Sequence, residues 1–274
     1  MVTLAGVIGY PIEHSKSPMI HGYWLHKYGI SGHYVPLNVK PTDFRNVIRT
    51  LGHMGFRGVN VTVPHKEAAI QYSDKISDNA AMIRAANTLA FRPDGLIHAD
   101  NSDGYGFHQN IVETLPDWVA SDGPALVIGA GGAARAVIHS LLSEGVPEIY
   151  LVNRTIERAG LLRRDFGNRV KIFQISRTGD LAGHVNTVVN ASSMGMVGMP
   201  DLKFPPGKLR KGTVVCDIVY APRETAFLKL ASREGCRIVG GLGMLLHQAA
   251  YSFNFWFGIL PEITPRLKAM VEDG

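Results

Sequence analysis

Short, β-branched apolar runs alternate along the chain with longer segments in which apolar residues return every three or four positions. The runs at 4–9 (LAGVIG), 33–39 (HYVPLNV), 58–63 (GVNVTV) and 87–91 (NTLAF) read as strands of a first series. Between them, HSKSPMIHGYWLHKYG and PTDFRNVIRTLGHMG read as helices, with Thr42 the expected N-cap of the second. A second series begins at Pro124 with ALVIG and continues at 148–153, 185–190, 213–219 and 237–241. Strands separated by helices predict parallel pairing through right-handed crossovers. Strands this uniformly apolar predict helices on both faces of the sheet. The pattern therefore predicts an α/β chain in two units that meet near residue 103. A strongly apolar helix at 243–259 can return to the first unit, which would make that unit discontinuous.

A length of 274 residues suits two domains of ordinary size, and 46% hydrophobic with 19% charged residues is a globular composition. The 30 glycines follow no Gly-x-y period and imply tight turns instead of collagen. A net charge of +5 favours anions, but the basic residues are scattered, with no run of five, which argues against a nucleic-acid tail. Cys216 and Cys236 lie in apolar stretches without a CxxC or metal spacing and are expected to be buried, reduced thiols. The chain shows no charged leader ahead of an apolar core and no apolar stretch of 18 residues, so a soluble cytoplasmic protein is expected. Among the 11 histidines no HxH, HxxxH or HExxH set appears, and no metal is expected. His14, His21 and His65 are expected to be local hydrogen-bonding residues, and the aromatics of SFNFWFG to pack a core.

The most informative local motif is ALVIGAGGAARAVIHSLLSEG, which matches G-x-G-x-x-A. Gly129 would permit the tight turn after a strand, Gly131 would let the backbone approach a pyrophosphate, and Ala134 would keep the helix against the strand. Ala130, Gly132 and Ala133 complete a loop whose amides and helix dipole suit phosphate. A Gly-rich pattern alone is weak, but here it follows a predicted strand, opens a helix and has a second strand at the right distance. The end of that second strand carries Asn153-Arg154-Thr155, with Arg158 one turn on, where an NAD site would carry Asp or Glu. A carboxylate would repel a 2′-phosphate, whereas a guanidinium can pair with it, so NADP is expected over NAD.

The first half places polar groups where a plain core would not. Ser15 and Ser17 stand near predicted helix-start amides, a suitable cradle for a carboxylate, although one of them could be a simple N-cap. Lys66 follows the carboxyl end of a strand, the edge at which open α/β sheets bind ligands; Asn87 and Asp103 also fall at strand ends or just beyond.

Nine stretches, in order, carry a wider resemblance: GYPIEHSKSPMIH, NVTVPHK, AANTL, NSDGYGF, GAGGAAR, NRTIER, NASSMGM, DIVYAPRET and GLGMLLHQA. Together they resemble the shikimate dehydrogenase family over essentially the whole chain. The resemblance implies a substrate-binding catalytic domain of residues 1–103 with 244–274, a Rossmann-type NADP-binding domain of 104–243, and a cleft between them. It implies that Ser15 and Ser17, helped by Tyr220, hold a substrate carboxylate, that Thr62, Asn87 and Gln248 bind ring hydroxyls, and that Lys66 and Asp103 form the catalytic pair. For the cofactor it implies the 129–134 loop, the 153–158 segment, Ile218, Gly241 and, less directly, Asp78. The implied reaction is reversible NADPH-dependent reduction of 3-dehydroshikimate to shikimate in chorismate and aromatic amino acid biosynthesis, with no metal, nucleic acid or membrane partner.

Hydride arriving at a ring ketone leaves charge on oxygen, so a donor must stand there, and a lysine ammonium can fill that role. Asp103 is expected mainly to orient Lys66 and bind a substrate hydroxyl; which of the two moves the proton stays open, as does a homodimeric assembly. The chain departs from the family pattern at Gly22, Arg84 and Ser102, none of which removes a proposed catalytic group. Two alternatives are a quinate-using paralogue, which Arg154 disfavours in its NAD form, and a catalytically silent shikimate or quinate sensor, which has no need of Lys66 and Asp103.

Overall fold

The computed structural model describes residues 2–273. In chain order it runs through β1 (Thr3–Gly9), α1 (Ser17–Lys27), β2 (Gly32–Asn38), α2 (Phe44–His53), β3 (Phe56–Val61), α3 (Lys66–Gln71), β4 (Lys75–Ile76), α4 (Asp78–Ile83), β5 (Thr88–Phe91), β6 (Ile97–Asp100) and α5 (Asp103–Thr114). There follow β7 (Ala125–Ile128), α6 (Gly132–Ser143), β8 (Ile149–Asn153), α7 (Ile156–Phe166), β9 (Val170–Gln174), α8 (Thr178–Ala182), β10 (Thr187–Asn190), β11 (Val214–Asp217), α9 (Ala226–Arg233), β12 (Arg237–Val239), α10 (Leu242–Phe257) and α11 (Pro265–Asp273). Two compact units result: one holds the residues up to Asp103 together with those from Leu246 onward, the other Gly104–Leu245. The chain passes between them inside α5 and inside α10. Among the described residues no helix is long and apolar enough to cross a membrane.

The first unit has a six-stranded sheet in the order β2-β1-β3-β5-β6-β4. Strands β1, β2 and β3 pair in parallel, as the βαβ pattern requires. The expectation of parallel pairing throughout fails at β5, which runs antiparallel to both β3 and β6. Pro93-Asp94-Gly95 reverses the chain between β5 and β6: Gly95 takes φ 79°, a left-handed value suited to glycine, and Leu96 N–H bonds the Asp94 side chain at 3.0 Å. On α2 the N-cap is Asp43, not Thr42, whose hydroxyl bonds Asp43 instead.

One core of this unit gathers Phe44, Ile48, Val59, Leu89 and their neighbours. A separate aromatic set joins His21 and Trp24 of α1, Tyr34 of β2, and Phe253 and Trp256 of α10. Gly58 admits the Trp256 ring: a Cβ there would lie 2.1 Å from its Nε1, which donates to the Leu89 carbonyl at 2.9 Å. His21 does not act as a hydrogen-bonding residue. It is 1% exposed and stacked on Tyr34, and neither ring nitrogen has a hydrogen-bond partner among the described residues.

The second unit is an all-parallel sheet in the order β12-β11-β10-β7-β8-β9. Successive side chains of β7 feed different cores: Ala125 and Val127 join one cluster, Leu126 and Ile128 the other. Helices therefore cover both faces, which explains the uninterrupted apolar runs. Sequence order reverses between β7 and β10, and such a switch point is where open α/β sheets bind ligands. Both cysteines are free thiols; Cys216 is buried, but Cys236 is only half-buried because it precedes the edge strand β12.

Candidate active site

In the first unit the antiparallel strand decides where the polar residues gather. Asn60 of β3 pairs with Thr88 of β5, and Thr88 in turn with Asp100 of β6. The amino end of β5 therefore lies beside the carboxyl ends of β3 and β6. A parallel β5 would have sent Asn87 to the opposite edge of the sheet. The turns after β1 and β3 are tied together as well, by Tyr10 N–H to the Val63 carbonyl at 3.1 Å and Thr62 N–H to the Ile8 carbonyl at 2.8 Å.

At this edge Lys66 Nζ lies 2.5 Å from Asp103 Oδ2, with side chains only 13% and 6% exposed. The other carboxylate oxygen, Oδ1, accepts from Asn87 Nδ2 at 2.8 Å, and Asp103 N–H bonds Asn101 Oδ1 at 3.0 Å. Asn87 Nδ2 also reaches Gln248 Oε1 of α10 at 3.4 Å. Lys66, Asn87, Asp103 and Gln248 thus form one hydrogen-bonded set, in which an ammonium, an amide N–H and a carboxylate are held close together. An ion pair removed from water this far is screened little by salt.

Ser15, Ser17 and Thr62 lie outside that set, on the turns after β1 and β3. Ser15 Oγ accepts from Ser17 N–H at 3.3 Å, so the two serines share one turn at the start of α1, where the N-cap residue is Lys16. Ser17 is buried and Ser15 half-buried. His65, next to Lys66, bonds the Val39 carbonyl through Nε2 at 2.8 Å and stacks on Phe44. Burial holds its pKa below the usual histidine range. Asp78 is exposed at the first position of α4, also in the first unit.

In the second unit the Gly129–Ala134 loop joins β7 to α6. Gly129 has φ 115°, and a Cβ there would lie 2.9 Å from the Ala191 carbonyl oxygen, so the position requires glycine. A Cβ on Gly131 would meet nothing within 4 Å, which leaves the first-turn amides of α6 open toward a ligand. Ala130 and Ala134 are buried, Ala133 and Gly132 half-buried. Asn153 at the end of β8 donates to the Thr155 carbonyl at 2.8 Å, shaping the turn that carries Arg154. Arg154 and Arg158 are exposed and make no ion pair among the described residues. Arg135 and Asp165 form a buried pair at 2.7 Å that ties α6 to α7. These features could hold a phosphorylated dinucleotide: an open amide cradle at the switch point and two exposed guanidinium groups just beyond the end of β8.

Ile218 and Gly241 come together in the same unit, since a Cβ on Gly241 would lie 2.4 Å from the Ile218 carbonyl oxygen. Their segment is braced by Asp217, which accepts from Asn190 Nδ2 at 2.9 Å, Val219 N–H at 3.0 Å and Thr225 Oγ1 at 2.7 Å. Burial pushes the Asp217 carboxyl and the Tyr220 phenol above their usual ranges.

Three family models cover most of the chain: the shikimate dehydrogenase substrate-binding domain at 7–89, shikimate/quinate 5-dehydrogenase at 110–223, and the shikimate 5′-dehydrogenase C-terminal domain at 241–270. A relative from Paracoccus denitrificans, a shikimate dehydrogenase (NADP(+)), is 54% identical over 98% of this chain and 95% of its own. The chain belongs to the shikimate dehydrogenase family. Within that family, a Thermus thermophilus shikimate 5-dehydrogenase, solved in complex with NADP(H) and shikimate, superposes with a TM-score of 0.87 at 33% identity, covering 100% of this chain and 99% of that one. A Corynebacterium glutamicum quinate dehydrogenase in complex with NAD superposes with a TM-score of 0.89 at 28% identity, with 98% of each chain covered.

Sequence reasoning missed Asn60, Thr88, Asn101 and Ser252, whose side chains join the polar set, as well as the bracing role of Asp217. A polar residue inside an otherwise apolar strand or helix was the available signal.

Proposed function

We propose that the chain catalyses the reversible NADPH-dependent reduction of 3-dehydroshikimate to shikimate, a step of aromatic amino acid biosynthesis. The observation that carries the reading is the Lys66–Asp103 pair at 2.5 Å, oriented by Asn87 at the ligand-binding edge of the first sheet. Family membership and the 54% identity to an NADP-dependent shikimate dehydrogenase support the substrate and cofactor. When bound, NADPH supplies the hydride. Lys66 as ammonium stabilises the developing oxyanion and delivers the proton, so that ketone, hydride and proton balance to a secondary alcohol. Asp103, accepting from both Lys66 and Asn87, holds the amine toward the reacting oxygen and accepts from a neighbouring hydroxyl.

Ser15 and Ser17 serve the substrate carboxylate, with Tyr220, while Thr62, Asn87 and Gln248 serve the ring hydroxyls. The 129–134 loop cradles the pyrophosphate. Asn153, Arg154, Thr155 and Arg158 bind the adenosine 2′-phosphate end, and Ile218 and Gly241 the nicotinamide end. The cofactor role of Asp78 is the least supported, because its unit is that of the substrate residues. Two free thiols fit a reducing compartment, the cytoplasm.

The test follows NADPH and NADH absorbance with shikimate and quinate as alternative substrates. Lys66→Ala should lose turnover by at least about a hundredfold while NADP⁺ binding persists. Unchanged turnover in that variant would remove the proposed mechanism.

A further inference from the structure

Behind Asn87 the polar set continues inward, into groups that the proposed reaction does not use. Thr88 and Ser252 are 0% exposed and Asn60 is 5% exposed. A buried polar group left unpaired costs about 1–3 kcal/mol, so three together are tolerable only as a fully paired network.

The contacts form one continuous network. Tyr34 Oη donates to Asn60 Oδ1 at 2.9 Å, which sets the Asn60 amide and turns its Nδ2 toward Ser252 Oγ at 2.8 Å and Thr88 Oγ1 at 3.2 Å. That nitrogen can only donate, and its two protons serve three acceptors, the third being the Asn87 carbonyl at 3.2 Å. Ser252 donates to the Gln248 carbonyl one turn earlier in α10, at 3.0 Å. The two hydroxyl oxygens lie 2.7 Å apart and one donates to the other, so the Ser252 proton is shared between Thr88 and the Gln248 carbonyl and the Thr88 proton between Ser252 and Asn87 Oδ1 at 3.1 Å. Ser102 N–H, which can only donate, points at the same Asn87 Oδ1 at 2.8 Å. With its oxygen facing these donors, Asn87 must offer Nδ2 to Asp103. The reversed amide would set a carbonyl oxygen against a carboxylate.

We propose that Thr88 and Ser252, backed by Asn60, are positioning residues whose hydroxyls fix the orientation of the Asn87 amide and brace the turn that carries Gln248. This rests on the reading of Asn87, Gln248, Lys66 and Asp103 as substrate machinery. None of the three need touch substrate; they act through residues that do.

Thr88→Val keeps the shape and removes the hydroxyl, whereas Thr88→Ser keeps the hydroxyl and removes a methyl group. Shikimate oxidation is measured for both, and for Ser252→Ala and the Thr88→Val/Ser252→Ala double variant, alongside NADP⁺ titration and thermal melts. Thr88→Val should lower kcat/KM for shikimate about tenfold, while the KM for NADP⁺ stays within about twofold. Thr88→Ser should retain nearly full activity, and the double variant should lose less than the product of the single losses, because the two hydroxyls bond each other within one network. A Thr88→Ser loss equal to that of Thr88→Val would mean packing and overturn the proposal, as would a Thr88→Val enzyme equal to wild type. Wild-type protein that failed to oxidise shikimate with NADP⁺ would instead remove the functional reading itself.

Discussion

His21 offers a quantitative test of how the first unit is held together. Its ring is 1% exposed, stacked at 4.2 Å on Tyr34 and met edge-on by Trp24, and among the described residues neither nitrogen has a hydrogen-bond partner. Burial drives its pKa down from 6.5 to about 3, against the opposing effect of the Asn60 side chain. The folded protein thus excludes a proton that the unfolded chain accepts. Stability is full above pH 6.5 and falls as the pH drops below that value toward 3. From those two values the loss attributable to this ring is roughly 2 kcal/mol at pH 5 and roughly 3 kcal/mol at pH 4. His21→Phe keeps the aromatic stack and removes the titrating nitrogens. It should match or exceed wild-type stability at pH 8 and escape this part of the acid loss. Urea unfolding at pH 8 and pH 5, followed by tryptophan fluorescence because Trp24 and Trp256 pack against the ring, measures the difference. His65, His98 and His139 also have lowered pKa values but are common to both proteins, so they cancel in the comparison. Equal acid sensitivity in the two proteins would refute the reasoning.

Two further changes address the second unit. Gly129→Ala forces a side chain onto a backbone at φ 115° and against the Ala191 carbonyl, and should cost about 1–3 kcal/mol in a thermal melt together with weaker NADP⁺ binding by titration. Arg154→Ala should raise the KM for NADPH about 10- to 100-fold and leave that for NADH nearly unchanged; equal effects on both would mean that the guanidinium does not read the 2′-phosphate.

The second unit was the more legible from sequence, because its central strands are buried on both faces and carry short apolar runs, as in ALVI of β7 and VVC of β11. Its edge strand β9, VKIFQ, is mostly half-exposed and mixes polar with apolar residues, which hid it. In the first unit β4 is two exposed residues, too short for any periodicity, and β6 carries an acid and a histidine in its four residues. The antiparallel entry of β5 was foreshadowed only by Pro93-Asp94-Gly95, a turn signal easily lost among 15 prolines and 30 glycines. The placing of Lys66, Asn87 and Asp103 was legible because charged and amide groups at strand ends are conspicuous, whereas their roles came from the family resemblance. Thr88 and Ser252 were not, since a small hydroxyl in an apolar run reads as filler until tertiary folding shows what it faces. His21 was misjudged for a related reason: its sequence neighbours say nothing of Tyr34 or Trp256, which come from distant segments.

The interrupted layout of the first unit bears on its biogenesis. As the chain leaves the ribosome, residues up to Asp103 emerge without α10, so the face at Gly58 stands uncovered, the Leu89 carbonyl lacks its indole donor and Asn60 lacks the Ser252 oxygen. The contiguous segment Gly104–Leu245 is complete before those partners exist. The first unit, though its larger part is translated first, therefore closes after the second, and until α10 emerges its nascent sheet carries a bare apolar surface.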